Sequence, residues 1–233
     1  MTDQTRRSWE KWPQWCGVID REGRIMATEQ AEEHLLAVLA AARLGDETIR
    51  SEQFTNIAPE NLSLGELECG QTAFDGCQFT NCDFSGTAFY ASSFRQCSFS
   101  NCRFRNTYWK DCQLTDVKLD GCDFRKSRLK NSTLEGVLMR YANFSDGLWE
   151  KDSFLNCSFQ EAFLTNLRIT KVELQKVDLS GADLFQTMLG GIDLSSCNIE
   201  GIRVSESVQE LKDATIDAAQ AAVLAKLLGV HVK

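Results

Sequence analysis

A strict five-residue period in the large apolar residues constrains the fold of this chain more than any other feature. From Leu64 to Val204, twenty-nine positions follow one another at this spacing without an insertion or deletion, and only Cys69 among them is not large. The position two residues earlier in each unit is mostly small or β-branched. A period of five fits neither the 3.6 residues of a helical turn nor the two-residue alternation of a strand. It predicts a chain that turns a corner every five residues, with one large and one small side chain inside and three residues outside.

Several units also place an aspartate between the small and the large residue. Residues 82–86 read CDFSG, residues 122–126 read CDFRK, and residues 177–181 read VDLSG. This pattern resembles the pentapeptide-repeat family over residues 62–206. The resemblance implies an all-β solenoid, namely a right-handed quadrilateral β-helix of about seven coils with four pentads, or twenty residues, in each coil. Phe185 departs from the pattern, because it occupies a position at which the family has a polar residue.

A twenty-residue coil predicts which side chains stack on one another. Residues twenty apart should be neighbours at the ordinary strand spacing, and each coil should bury its inward residues against the next. Phe84, Phe104, Phe124 and Phe144 should therefore form one ladder of rings.

Eight of the ten cysteines occupy the small inward position, which predicts that they are buried thiols rather than metal ligands or disulfides. The chain has only two histidines, and the cysteine spacing is not that of a zinc site, so no metal or cofactor is expected. The first residues contain no apolar segment of a secretion signal, and no stretch is long enough to span a membrane. A reduced, cytoplasmic protein is the expectation.

Segments at both ends are expected to cover the open edges of the solenoid. The predicted organisation is an N-terminal extension and helical cap over residues 1–61, the β-helix over 62–206, and a C-terminal helix and tail over 207–233. The N-terminal cap is predicted as a helix from Thr28 to about Arg43 that ends at Gly45. Its apolar positions are Leu35, Leu36, Leu39 and Ala42.

At the C-terminus, residues 217–220 read DAAQ and predict a capping box that opens a helix to Leu228. This ending is similar to that of the quinolone-resistance and toxin-immunity branch of the family, in which a C-terminal helix and a short strand mediate a dimer. A simple cover for the last coil explains the same residues equally well. The candidate dimerisation residues are Val223, Leu224, Leu227, Leu228, Val230 and Val232.

The outward residues divide into four faces that differ in charge. The face through Phe89, Trp109, Leu129, Trp149 and Ile169, called here the basic-aromatic face, carries six basic and three acidic residues. The face through Phe74, Phe94, Leu114, Leu134, Phe154, Leu174 and Leu194, called the acidic face, carries two basic and five acidic residues. The third face, through Phe79, Phe99 and Leu119, has two basic and four acidic residues, and the fourth, through Phe84, Phe104 and Phe124, is nearly balanced.

Exposed apolar and aromatic residues on an otherwise polar face are typical of protein interfaces. The basic-aromatic face is therefore the candidate site for an acidic protein partner. Three tryptophans in the N-terminal extension either pack on the cap or contribute to the same contact. The candidate partner-binding residues are Tyr90, Tyr108, Arg128, Lys130, Leu148, Lys151, Arg168, Lys171, Trp9, Trp12 and Trp15.

Asp152 is the one carboxylate at a small inward position, where burial is costly without partners. Either it bonds neighbouring groups such as the hydroxyl of Ser132, or the coil bulges outward there.

Binding, and not catalysis, is the expected activity. The two histidines lie in the terminal segments, and no catalytic triad, glycine-rich phosphate loop or metal motif is present. The preferred hypothesis is a protein-binding scaffold or adaptor. The alternative, implied by the resemblance, is an acidic rod that mimics duplex DNA, binds DNA gyrase or topoisomerase IV and protects it from quinolones or peptide toxins. A formal charge of −8 agrees with mimicry and disfavours direct nucleic-acid binding. However, only −4 of it lies within residues 62–206.

Overall fold

A computed structural model describes residues 18–19, 25–26, 28–45 and 47–231. Within these residues the chain forms a β-solenoid with a helix at each end. Two parallel sheets of seven strands each make up two of its faces. The helices are α1, Thr28–Gly45, and α2, Gln220–Leu227, and a short 3-10 helix spans Gln209–Leu211.

The strands are two or three residues long, as a corner at every fifth residue requires. Before the coil lies an antiparallel pair, β1 (Val18–Ile19) and β2 (Ile25–Met26). The basic-aromatic face consists of β3 (Ile49–Arg50), β5 (Glu68–Gly70), β8 (Ala88–Tyr90), β11 (Tyr108–Lys110), β13 (Arg128–Lys130), β15 (Leu148–Glu150) and β17 (Arg168–Thr170). The acidic face consists of β4 (Gln53–Thr55), β6 (Ala73–Asp75), β9 (Ser93–Arg95), β12 (Gln113–Thr115), β14 (Thr133–Glu135), β16 (Ser153–Leu155) and β18 (Glu173–Gln175). The third face contains β7 (Gln78–Thr80) and β10 (Ser98–Ser100), and single bridges continue the third and fourth faces.

Every strand of the coil pairs with the strand twenty residues away. Trp109 lies beside Phe89 on one side and Leu129 on the other, and the same step relates each pair along both seven-stranded sheets. Six such turns separate Ile49 from Ile169. The predicted period and stacking are therefore confirmed.

The paired coil begins earlier than the predicted start at residue 62. Ile49 and Phe54 are buried and pair with Cys69 and Phe74, so they already belong to the first coil. They keep the five-residue phase, but Pro59 occupies the next large position and interrupts the apolar series. Because of this interruption, the sequence pattern did not indicate the first coil.

The corners share one backbone conformation. From residue 51 to residue 191, the second residue after each large inward position has a positive φ. Asparagine, aspartate and glycine adopt this left-handed conformation at low cost, and they occupy most of these corners. Some corner amides also bond between coils: Asn101 donates to Asn81 and Asn81 donates to Asn61, over 3.3 and 3.4 Å.

The interior consists of ladders of rings and small side chains. Successive rings of Phe84, Phe104, Phe124 and Phe144 are stacked with centroids 4.6 to 4.7 Å apart, which confirms the predicted ladder. Nine cysteines of the described residues are buried and free. Eight of these thiols donate to backbone carbonyls of the preceding coil, as Cys112 does to Phe89 over 3.4 Å. Burial raises the pKa of Cys122 to about 12, so this thiol stays protonated at neutral pH.

Helix α1 covers the first coil as predicted, with one exception. Leu35, Leu39 and Ala42 are buried, whereas Leu36 is half exposed and takes no part in the covered side. The helix is also held by polar contacts. Glu32 accepts a hydrogen bond from the backbone N–H of Ala58 over 3.0 Å.

The C-terminal segment closes the other end through Gln220. Its side-chain amide donates to the carbonyls of Leu194 and Cys197 over 2.8 and 2.7 Å, at an edge where no further coil supplies donors. Asp217 and Gln220 also exchange side-chain-to-backbone bonds of 2.7 and 2.8 Å, the geometry of a capping box. Val223, Leu224 and Leu227 pack partly buried against the core.

Two tryptophans at equivalent positions differ in their hydrogen bonding. The indole Nε1 of Trp109 donates to the Thr107 hydroxyl over 3.0 Å. Trp149, two coils further on, follows Gly147 where Trp109 follows Thr107, and its buried Nε1 has no hydrogen-bond partner among the described residues. An unpartnered buried donor costs about 1 to 3 kcal/mol.

We expect Trp149→Phe to destabilise the protein less than Trp109→Phe, by roughly 1 to 3 kcal/mol. Both substitutions remove the same ring volume, but only Trp109→Phe removes a hydrogen bond. The free energies of unfolding in urea provide the comparison. Equal losses in the two variants would contradict this account of Trp149.

Candidate functional site

The predicted partner-binding residues of the coil lie together on the basic-aromatic face. Tyr108, Arg128, Leu148 and Arg168 form one column, because each pairs in register with the next across adjacent strands. Tyr90 and Lys130 lie in the parallel column on the other side of the inward residues. Lys151 and Lys171 occupy corners at the edge of this face.

Two tyrosines form the aromatic part of the face. The rings of Tyr90 and Tyr108 meet edge to face with centroids 5.7 Å apart, and both side chains are half-buried. Burial, together with Glu68 and Tyr108, raises the pKa of Tyr90. The Tyr90 phenol therefore remains neutral, and the two rings add an amphipathic surface beside the cations.

Charge pairing separates this face from the rest of the rod. Most arginines of the other faces contact a carboxylate; these are Arg95, Arg103, Arg105, Arg125, Arg140 and Arg203. Arg128 and Arg168 have no ion pair or side-chain hydrogen bond within residues 47–231. On the same face, Glu150 is already bound to Lys130 over 3.2 Å.

A groove of about 660 Å³ runs along the corner between the basic-aromatic and fourth faces. The sequence pattern did not predict it. Its walls are formed by residues of four neighbouring coils. The lining residues are Asn106, Thr107, Tyr108, Lys126, Arg128, Leu129, Lys130, Asp146, Gly147, Leu148, Glu150 and Arg168.

Gly147 lies in this groove at a small inward position that elsewhere holds a side chain. A Cβ at Gly147 would lie 2.9 Å from the Phe144 carbonyl oxygen and 3.1 Å from that of Ser127, so no larger residue fits without a shift. The carboxylate of Asp146 beside it accepts a bond of 2.7 Å from Asn166. A glycine in the small position was the sequence signal for this groove.

Asp152 lies inside the coil and is 1% exposed, which decides between the two arrangements left open by the sequence. Its two carboxylate oxygens accept hydrogen bonds from the backbone N–H groups of Ser132 and Glu150, over 2.8 and 2.9 Å. The bond to Ser132 therefore involves the backbone and not the hydroxyl. Burial raises the pKa of Asp152 to about 7, although these two bonds oppose the shift.

The remaining predicted site residues lie at the two ends of the chain. Trp9, Trp12, Trp15 and Val232 fall outside the described residues. Leu228 and Val230 are more than half exposed at the end of α2. Among the described residues, no group of three or more histidine, cysteine or acidic side chains is placed to hold a metal ion, and no helix is both long and apolar enough to cross a bilayer.

Together, the coil and its faces define a four-sided β-solenoid whose variable part is its surface. The family model described as "Pentapeptide repeat region" matches residues 72–140 and 107–184. The chain belongs to the pentapeptide-repeat proteins.

Two solved structures of pentapeptide-repeat proteins are similar to parts of this chain. A trypsin-treated form of QnrB1, described as a plasmid-mediated fluoroquinolone resistance protein, is 21% identical with a TM-score of 0.47, over 80% of this chain and 100% of that one. HetL, described as involved in heterocyst differentiation regulation in Nostoc sp. strain PCC 7120, is 16% identical with a TM-score of 0.36, over 76% and 92%. No curated protein matches the sequence.

The raised pKa of Asp152 predicts a pH-dependent stability. The folded chain holds this proton up to about pH 7, whereas an unfolded aspartate releases it near pH 3.8. The protonated carboxyl group of Asp152 therefore stabilises the fold fully below the pKa of the unfolded state. This stabilisation is lost as the pH rises through the pKa of the folded state. Asp152→Asn cannot ionise, so the free energy of unfolding of the wild type minus that of the variant should fall by roughly 2 to 4 kcal/mol between about pH 4 and pH 8.

Urea titrations of both proteins across this pH range measure that difference. Other acidic groups titrate equally in the two proteins and cancel. A difference that stays constant with pH would show that Asp152 is ionised in the folded chain throughout.

Proposed function

We propose that this protein is a non-enzymatic scaffold or adaptor that binds a protein partner through its basic-aromatic face. The observation that carries the proposal is the pair of unpaired guanidinium groups, Arg128 and Arg168, on a rod whose other faces pair most of their arginines with carboxylates. Unpaired cations beside half-buried apolar side chains suit an acidic protein surface. Association would form new ion pairs and bury the apolar side chains, and both changes stabilise a complex.

The flanking residues extend the same surface. Tyr90, Tyr108 and Leu148 supply apolar area, and tyrosine and arginine are residue types enriched at interfaces. Lys151 and Lys171 add charge at the corner. In this proposal Trp9, Trp12 and Trp15 of the N-terminal extension form a second part of the contact.

The test is capture of partners from the native host by the tagged protein. Replacing Arg128, Lys130 and Arg168 by Glu should abolish the specific partners, since like charges across an interface are repulsive. The control variant replaces Arg95, Lys118 and Lys176 by Glu; these residues lie on the acidic and third faces, and the control should retain the specific partners. Mass spectrometry identifies the captured proteins. An identical set of proteins with both variants would show that the basic-aromatic face is not the partner-binding surface.

A second candidate function is imitation of DNA by the acidic face. Asp116, Glu135 and Glu173 lie on this face without an ion-pair partner within residues 47–231, and they leave a negative strip along one side of the rod. Such a strip could occupy the DNA-binding surface of a type II topoisomerase. QnrB1, which has a similar fold, is described as a fluoroquinolone resistance protein.

For this candidate, DNA supercoiling by gyrase is measured with and without the protein, and again with a quinolone present. Mimicry predicts inhibition or protection at about micromolar protein, and it predicts loss of the effect when Asp116, Glu135 and Glu173 become Asn or Gln. Replacing Arg128 and Arg168 by Gln should leave the effect unchanged. Supercoiling and quinolone sensitivity that do not respond to the protein would eliminate the DNA-mimic candidate.

A homodimer through the C-terminal helix is part of the proposal for the assembly. Its support is the exposure of Leu228 and Val230, which extend the apolar side of α2 beyond the part that packs against the coil.

A further inference from the structure

The groove beside Gly147 carries an excess of positive charge, with four basic and two acidic residues in its lining. Lys126, Arg128 and Arg168 line it without an ion pair or side-chain hydrogen bond within residues 47–231. Of its two carboxylates, Glu150 forms an ion pair with Lys130, and Asp146 accepts a hydrogen bond from the neutral amide of Asn166. The groove therefore has the charge to receive an anionic ligand.

The register of the sheet fixes the spacing of its cations. Arg128 pairs with Leu148, and Leu148 pairs with Arg168, so the two arginines lie two strands apart in one column. Two strand spacings amount to about 9.6 Å. The side chain of Leu148 lies between the two guanidinium stems and gives the groove an apolar centre.

The backbone of this face is not available to a ligand. The N–H of Arg128 is bonded to the carbonyl of Thr107, and that of Arg168 to the carbonyl of Gly147, as part of the ladder between coils. The backbone N–H groups of both arginines are therefore already used within the sheet. Recognition has to use side chains.

We propose that the groove binds an extended acidic segment of a protein, with carboxylates three residues apart contacting Arg128 and Arg168. In a polyproline II conformation, residues three apart lie on the same side of the segment, separated by about 9.3 Å. This separation matches that of the two arginines. The inference rests on the proposed scaffold function, because it names the chemistry of the partner that the basic-aromatic face receives.

The test uses a fluorescein-labelled peptide of four Asp-Pro-Pro repeats and the full-length protein, with binding followed by fluorescence anisotropy. We expect saturable binding that weakens several-fold when the salt concentration rises from about 0.05 to about 0.5 M. Arg128→Gln and Arg168→Gln should each weaken binding roughly fivefold or more. Lys176→Gln, on the acidic face, should leave it unchanged.

Two probes separate spacing from general attraction between charges. An Asn-Pro-Pro peptide should not bind, and a peptide with the same number of aspartates grouped at one end should bind more weakly. Equal binding of the grouped peptide, or tighter binding of a single-stranded oligonucleotide of equal charge, would overturn the inference. Unchanged thermal unfolding of the glutamine variants confirms that they are folded.

This inference and the proposed function can fail separately. If no acidic peptide binds but partner capture still depends on Arg128 and Arg168, the face is an interface and the acidic-segment inference is wrong. If the peptide binds as expected but captured partners are unaffected by substitutions on the face, the groove is an acidic-peptide site and the scaffold proposal is wrong.

Discussion

The ladder of backbone hydrogen bonds between coils twenty residues apart is the constraint on which the rest of the structure depends. It fixes the inward residues in columns, and it therefore decides that phenylalanine stacks on phenylalanine and that a thiol lies below a carbonyl of the preceding coil. It also occupies backbone N–H and C=O groups along all four faces. What remains variable is the outward side chains, so a surface function is the consequence of the architecture.

The interior of the coil could be predicted from the sequence because burial acts identically on every unit. The phase of the large residues identified the coil, its four faces and the rings that stack within it. The first coil escaped prediction because Pro59 interrupts the apolar series, although Ile49 and Phe54 keep its phase. Leu36 was wrongly placed on the covered side of α1, because helical spacing does not show how wide a stripe the coil covers.

The candidate site was predictable only in part. The twenty-residue coil predicts that Tyr108, Arg128, Leu148 and Arg168 lie on one face, because the register between strands is a property of the repeat. Ion pairing between coils depends on the direction in which each long side chain extends. The five-residue period does not predict this direction. The sequence does not predict the groove beside Gly147 or the two backbone hydrogen bonds that Asp152 accepts. Each depends on the local geometry of a unit that departs from the repeat pattern.

The left-handed corner at every fifth residue makes the rod modular in length. Duplication or loss of one complete coil would move the two end caps apart or together by about 4.8 Å while every face keeps its direction. A change of five residues would instead rotate all later faces by a quarter turn and break the columns of surface charge. Evolution of such a surface is thereby confined to whole coils and to single outward side chains, and the position of any side chain is given by its height and its face.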